Sequence, residues 1–270
     1  MSMRQSEETG RARGIDRAIE LLECLHAARQ PLRVGEIARR LNAPRSTVYE
    51  LVKRFLDTAI LETYDTDGRV FFGRTLHFYA ADYMGAHGLS RLGREEVIGI
   101  AERTGETAQF CVLHGDKYTV IHMQTGRKIF QISTAVGVPV PIPWTASGRL
   151  LLDHMTREQV ERFVPSEDFV LPGGARIEPD RFYEEVRRAR RDGYCMTSGL
   201  VDAFTHCIAA PVRGTDGVAV ACVCVVIVGR PDEAEETLLV KVLKESAARL
   251  SAYVTGSTYP VLAGVRQRLG

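Results

Sequence analysis

No apolar run in this 270-residue chain approaches the roughly 18–20 residues needed to cross a bilayer. The opening stretch, MSMRQSEETGRARG, also lacks the apolar centre of a secretory signal. A cytoplasmic protein is expected. The six cysteines (Cys24, Cys111, Cys195, Cys207, Cys222 and Cys224) form no CxxC pair, and no Cys/His cluster has zinc-ligand spacing. A disulfide framework and a zinc module are thereby excluded; reduced, buried thiols are expected, with no metal and no cofactor. The formal net charge is only +1, so any affinity for a polyanion has to come from a local concentration of charge. With 45% hydrophobic residues the chain is long enough for two ordinary domains, each with its own core.

That concentration of charge lies in the stretch from Pro31 to Gly73. From Arg29 to Arg54 seven basic residues face only two acidic ones, Glu36 and Glu50. Val34, Ile37, Ala38 and Leu41 recur at i, i+3, i+4 and i+7, as do Val48, Leu51, Val52 and Phe55, so two short amphipathic helices are predicted. Between them Asn42-Ala43-Pro44 supplies a tight turn, with Asn tolerating left-handed geometry and Pro44 expected at the first helical position. Residues 60–64 and 70–72 flank Asp65-Thr66-Asp67-Gly68, a hairpin signal with glycine where the turn needs positive φ. Helix-turn-helix followed by hairpin is a winged helix, and its basic residues lie off the core face, which points to DNA.

The remaining pattern is mixed. An unstructured arm is expected over residues 1–12, and Ile15, Ala18, Ile19, Leu22, Leu25 and His26 mark one face of a helix over 15–28. After the wing, Leu76, Tyr79, Ala80, Tyr83 and Met84 stripe a helix suited to meeting its counterpart in a second subunit, since a two-fold dimer matches a palindromic operator. Beyond it we expect a helix over 89–103, strands over 107–113, 118–123 and 129–134, and a segment with prolines at 139, 141 and 143 that cannot be a central strand and would cross or cover the sheet. Helices over 146–154, from Arg157, and over 179–192 follow, the last carrying Arg187, Arg188, Arg190 and Arg191 as a solvated face. Strands at 194–197, 207–212 and 218–228 and a helix over 232–255 complete an α+β domain with an antiparallel sheet flanked by helices. The predicted division is 1–12 arm, 13–74 winged helix-turn-helix, 75–88 linker helix, 89–258 second domain and 259–270 tail.

On five segments the chain resembles the IclR family of bacterial transcription regulators: GIDRAIELLECL, EIARRLNAPRSTVYELV, GETAQFCVLHGD, TASGRLLL and CIAAPV, in that order and spread over nearly its whole length. The resemblance implies an N-terminal winged helix, a linker helix and a C-terminal GAF-like effector-binding domain, assembled as dimers or tetramers on DNA, without metal or catalysis. The departures are specific. Residues 197–202, TSGLVD, replace an acidic stretch; Arg149 stands for a usual lysine, Trp144 for a small residue and Pro143 for a frequent histidine. The helix predicted over 33–41 lacks a hydroxyl cap, which is worth about 1 kcal/mol.

Two candidate sites follow. For DNA, the N-terminal turn of the second helix exposes Arg45, Ser46, Thr47, Tyr49 and Lys53 toward a major groove, Arg45 being able to pair with guanine O6 and N7. Arg39, Arg40, Arg54 and the wing's Arg69 are expected on the phosphate backbone, and Arg33 is counted with them in the DNA-binding set. For the effector, N–H groups of Ala146, Ser147 and Gly148 at a helix start favour a carboxylate, Cys207, Cys222 and Cys224 form the opposite wall, and Trp144 at the mouth suggests an aromatic acid. Thr145, together with Thr197, Leu200 and Thr205 in and just after the stretch where relatives make part of their effector contacts, completes the set. Two rivals are a DNA-binding protein with a purely structural second domain and an enzyme built on Cys207. His206, the nearest base, points to the opposite face of a strand from Cys207, which argues against the enzyme.

Overall fold

The computed structural model describes residues 2–86, 88–128 and 135–256. The chain divides into two compact units, residues 1–86 and 87–270. In the first, helix α1 (Ser2–Ala28), strand β1 (Leu32–Arg33), helices α2 (Val34–Arg40) and α3 (Arg45–Asp57), strands β2 (Leu61–Thr63) and β3 (Arg69–Phe72) and helix α4 (Arg74–Ala86) follow in order. β1, β3 and β2 form an antiparallel three-stranded sheet in which Leu32 faces Val70 and Leu61 faces Phe72. Leu21, Leu25, Ile37, Val48, Val52, Leu61 and Val70 make its core.

Three expectations for this unit change. Residues 2–12 of the expected arm are the start of α1: Met, Arg, Gln and Glu are good helix formers, and no proline interrupts them. The buried face of α1 is Leu21 and Leu25 with Leu22 packed beside them, so the expected stripe holds at Leu22 and Leu25 but not at Ile15 and Ile19, which are 62% and 51% exposed. The core lies around Leu21 and Leu25 because α2 and α3 approach there, a tertiary fact that periodicity alone cannot reveal. Pro44 is the N-cap and not the first helical residue, since its ψ is 132° and its carbonyl accepts from the Val48 N–H at 3.2 Å. Asn42 has φ 48° and Gly68 φ 71°, the left-handed conformations the turn and the wing require.

The second unit contains α5 (Gly88–Thr104), β4 (Thr107–His114), β5 (Lys117–Gln124), β6 (Pro139–Pro141), α6 (Ala146–Leu151), α7 (Arg157–Phe163), α8 (Pro179–Asp192), β7 (Cys195–Ser198), β8 (Thr205–Arg213), β9 (Ala219–Val228) and α9 (Glu233–Gly256). The sheet order is β6-β5-β4-β9-β8-β7, with every neighbouring pair antiparallel. Both faces are covered. Phe110, Ile208, Ala210, Val223 and Val225 pack with residues of α5 and α9, while Cys111, Ala209, Cys222 and Cys224 pack with Leu150, Leu151, Phe182 and Val186 of α6 and α8. The alternation is the two-residue period of a strand, and β9 is apolar throughout because it is central and buried on both sides.

The proline-rich segment forms β6, with Val140 paired to Tyr118 at the sheet edge. An edge strand needs ladder donors on one side only, so the prolines are accommodated there instead of forming a crossing or lid. The strand expected over 129–134 and the tail over 259–270 lie outside the described residues. On α8, Arg187, Arg188, Arg190 and Arg191 are all exposed as expected, and Arg190 also donates to the Asp153 carbonyl at 2.9 Å.

Candidate functional site

In the first unit, burial of Val48 and Val52 turns the opposite side of α3 outward. Arg45, Ser46, Thr47, Tyr49, Lys53 and Arg54 are all exposed there, as are Arg39 and Arg40 at the end of α2. Among the described residues none of Arg39, Arg40, Arg45, Lys53 and Arg54 makes an ion pair, so five cationic side chains are available to phosphate or base edges. Arg33 and Arg69 differ. Arg33 Nη2 lies 3.0 Å from Asp67 Oδ2, and Arg69 lies 3.7 Å from Asp65 and 3.9 Å from Asp67. The α2 start is closed without a hydroxyl: Glu36 Oε2 accepts from the Arg33 N–H at 3.0 Å, which with nearby Arg39, Arg33 and Arg40 holds its carboxyl below the usual range.

In the second unit the residues expected to bind an effector are only partly assembled. Thr197 faces Cys207 across β7 and β8, Cys207 faces Val226, and Cys224 faces Ala209, so Thr197, Cys207 and Cys224 share the sheet face toward α6. Thr205 is on the same face two residues before Cys207, and its Oγ1 is buried with no hydrogen-bond partner among the described residues. Leu200 lies in the loop after β7. Cys222 is closed off beneath α6, its Sγ 3.7 Å from the Ser147 carbonyl.

The helix start is also less open to an anion than its residues suggest. Thr145 is the N-cap of α6, and its Oγ1 accepts from the Gly148 N–H at 2.9 Å, which removes one of the three expected donors. A Cβ on Gly148 would lie 2.2 Å from the Ile142 carbonyl, so only glycine fits this close turn. Trp144 Nε1 donates to the Asp168 carbonyl at 2.8 Å, and Asp168 is in turn held by Lys117 at 2.6 Å.

Two groups central to this region were not among the candidate site residues. Arg149, 1% exposed, donates through Nε and Nη2 to Glu185 of α8 at 2.8 and 2.7 Å and through Nη1 to the carbonyls of Pro143 and Thr145. It ties the Trp144 segment to α8. Gln109, similarly buried, accepts from Tyr118 Oη at 3.2 Å and from Cys224 Sγ at 3.5 Å, while among the described residues its amide nitrogen meets only Met123 Sδ at 4.0 Å, a weak acceptor. Tyr118 Oη also meets Cys111 Sγ at 2.8 Å. The alternation that places Gln109 on the cysteine face was legible; its lack of a strong acceptor was not.

Neither Cys207 nor Cys195 is prepared as a nucleophile. Burial, with Cys224 and Cys195 nearby, pushes the Cys207 thiol up to about 12, and burial pushes Cys195 to about 11. His206 pairs across the sheet with Ile227, on the face opposite Cys207, and its Nδ1 is 2.8 Å from Ser198 Oγ. Among the described residues no group of three or more His, Cys, Asp or Glu is placed to hold a metal ion, and no helix is long and apolar enough to cross a membrane.

Comparison with known proteins agrees with this architecture. Residues 14–63 match the IclR helix-turn-helix domain, and residues 82–252 match the C-terminal domain of bacterial IclR transcriptional regulators. The HTH-type transcriptional regulator BhcR of Paracoccus denitrificans is 26% identical over 82% of this chain and 79% of its own length, and TtgV of Pseudomonas putida is 24% identical over 75% and 83%. Among solved structures, an IclR homolog from Microbacterium hydrocarbonoxydans complexed with 4-hydroxybenzoate superposes with TM-score 0.79 at 24% identity, covering 90% of this chain and all of that one. An IclR transcriptional regulator from Alicyclobacillus acidocaldarius gives 0.78 at 20% identity, covering 90% and 98%. The α+β fold is shared. The chain belongs to the IclR family of bacterial transcriptional regulators, with a helix-turn-helix domain for DNA and an effector-binding C-terminal domain.

Proposed function

We propose that this regulator binds operator DNA in the cytoplasm as a dimer, or a pair of dimers, and that a small organic acid, most suitably an aromatic one, changes its operator affinity. The observation that carries the DNA part is the exposed, ion-pair-free set on α2 and α3, with Arg45 reading a base edge, Ser46, Thr47, Tyr49 and Lys53 beside it, and Arg39, Arg40 and Arg54 on phosphates. The dimer is supported by apolar side chains left outside the first unit's core: Ile15 and Ile19 on α1, with Phe78 and Tyr79 on α4 each 58% exposed. A second copy of the same unit is the partner that two-fold operator recognition requires.

The effector part rests on under-used hydrogen-bonding groups on the sheet face toward α6. The Gln109 amide and the Thr205 hydroxyl are the polar contacts, with Thr197 and Cys207 beside them and the Trp144-Thr145-Ala146-Ser147 segment opposite. The buried or half-buried cations Arg149, Lys117 and Arg213 are committed to Glu185, Asp168 and Asp153, so recognition depends on neutral groups. The 4-hydroxybenzoate bound by the Microbacterium homolog fits this class. Thermal shift and operator-binding titrations with benzoate, 4-hydroxybenzoate, benzamide and short aliphatic acids test the reading. Stabilisation by an aromatic acid with a change in operator affinity supports it; equal binding of benzamide removes the carboxylate from it, and silence across the panel removes the aromatic class.

A further inference from the structure

The wing carries a carboxylate where a DNA-binding surface gains most from cations, and that carboxylate is engaged. Asp67, at the tip between β2 and β3, reaches back across 34 residues of sequence to Arg33 at the start of α2, with Nη2 to Oδ2 at 3.0 Å. Together with Arg39, Arg45, Tyr49, Glu36 and Gly68, these two residues line a cleft of about 590 Å³ between α2, α3 and the wing. Arg69 lies 3.9 Å from the same Asp67 oxygen. The hairpin does not need this carboxylate for its shape, because Asp65 Oδ1 accepts the N–H groups of Asp67 and Arg69, both at 3.1 Å, and Gly68 provides the left-handed turn.

We propose that Asp67 is a specificity-determining residue: its carboxylate occupies the place of a DNA phosphate on Arg33, and duplex DNA binds by displacing it. The pair suits such an exchange. Both side chains are more than half exposed, so the ion pair contributes little to folding and separates readily. In the free protein the carboxylate cancels part of the positive field of the cleft, which weakens attachment to arbitrary sequences, where affinity is almost entirely electrostatic. At an operator, base contacts from α3 hold the duplex close enough for phosphate to replace Asp67 on Arg33. Asp67 therefore widens the ratio of operator to random-sequence affinity without touching a base.

The test uses the full chain and a fluorescent random-sequence duplex, with anisotropy titrations at several salt concentrations. Asp67→Asn is expected to bind this duplex about fivefold more tightly at low salt, with the log–log salt slope steeper by about one ion. Asp67→Glu, which keeps a carboxylate within reach of Arg33, is expected to resemble the unaltered protein. The gain from Asp67→Asn should vanish when Arg33→Ala is also present. Unchanged or weaker binding by Asp67→Asn overturns the proposal, and so does a gain that persists without Arg33, because the effect would then be diffuse charge. Melting temperature separates these outcomes from misfolding, and Asp67→Ser repeats the measurement with a second neutral side chain.

Discussion

Arg45 is the first residue of α3, exposed and without an ion pair, so its guanidinium can present two donors to a guanine edge. Arg45→Ala should cost about 1–3 kcal/mol of operator affinity and relax preference at one base pair, read by competition with single-base operator variants; a uniform loss across all duplexes would make it a phosphate contact. Arg149 was visible in the sequence only as a departure from a usual lysine, because burial and the partners of a long side chain are set by helices distant in sequence. Its planar fork serves Glu185 and two carbonyls at once, which an ammonium cannot reproduce. Arg149→Ala leaves the Glu185 carboxylate without its buried partner and should cost about 3 kcal/mol in chemical denaturation, with Arg149→Lys recovering only part of it.

At the scale of elements, the short α6 depends on one residue without a side chain. Gly148→Ala sets a methyl group 2.2 Å from the Ile142 carbonyl, and the turn must open to admit it. Destabilisation of about 1–3 kcal/mol, with any effector-induced thermal shift reduced, is the expected outcome. Helices α1 and α4 carry the opposite situation, apolar groups with nothing of their own unit to cover them. Ile19→Asp or Phe78→Asp should leave the melting temperature of the isolated fold nearly unchanged while shifting the assembly toward monomer in light scattering. Retention of the full oligomer by both variants would exclude these faces as the contact. The periodicity of α1 was legible, but two overlapping faces satisfied it, and only the approach of α2 and α3 selected Leu21 and Leu25 as the buried one.

For the whole molecule, two half-buried histidines link stability to pH. Burial, assisted by Arg94, pushes His122 below its ordinary value; burial pushes His154 down against the pull of Asp153 and Asp216. The folded chain therefore binds fewer protons than the unfolded one just below pH ~6.5, the ordinary histidine value. The stabilisation from the neutral rings is complete above that pH and is lost as pH falls from it through the lowered folded values. Melting temperature should be flat from pH 8 to 7 and fall toward pH 5.5. His122→Asn should flatten the curve, because its ring stacks on Phe110 and meets Ser90 across the α5 packing; a slope unchanged by substituting both histidines would locate the linkage elsewhere.

By itself the sequence determined the family and most of the elements, though not the start of α1, β1 or β6. Amphipathic period, the Asn-Ala-Pro turn, the Asp-Gly hairpin and strand alternation are local, and local sterics and capping chemistry decide them. It also placed Cys207 and His206 on opposite strand faces, since that follows from a period of two. Tertiary structure alone decided which faces meet and which charges remain available. The pairing of Asp67 with Arg33, the burial of Arg149 against Glu185 and the closure of Cys222 under Ser147 all join residues far apart in the chain. Pairings of that kind depend on how helices and strands are stacked, and no window of sequence contains both partners.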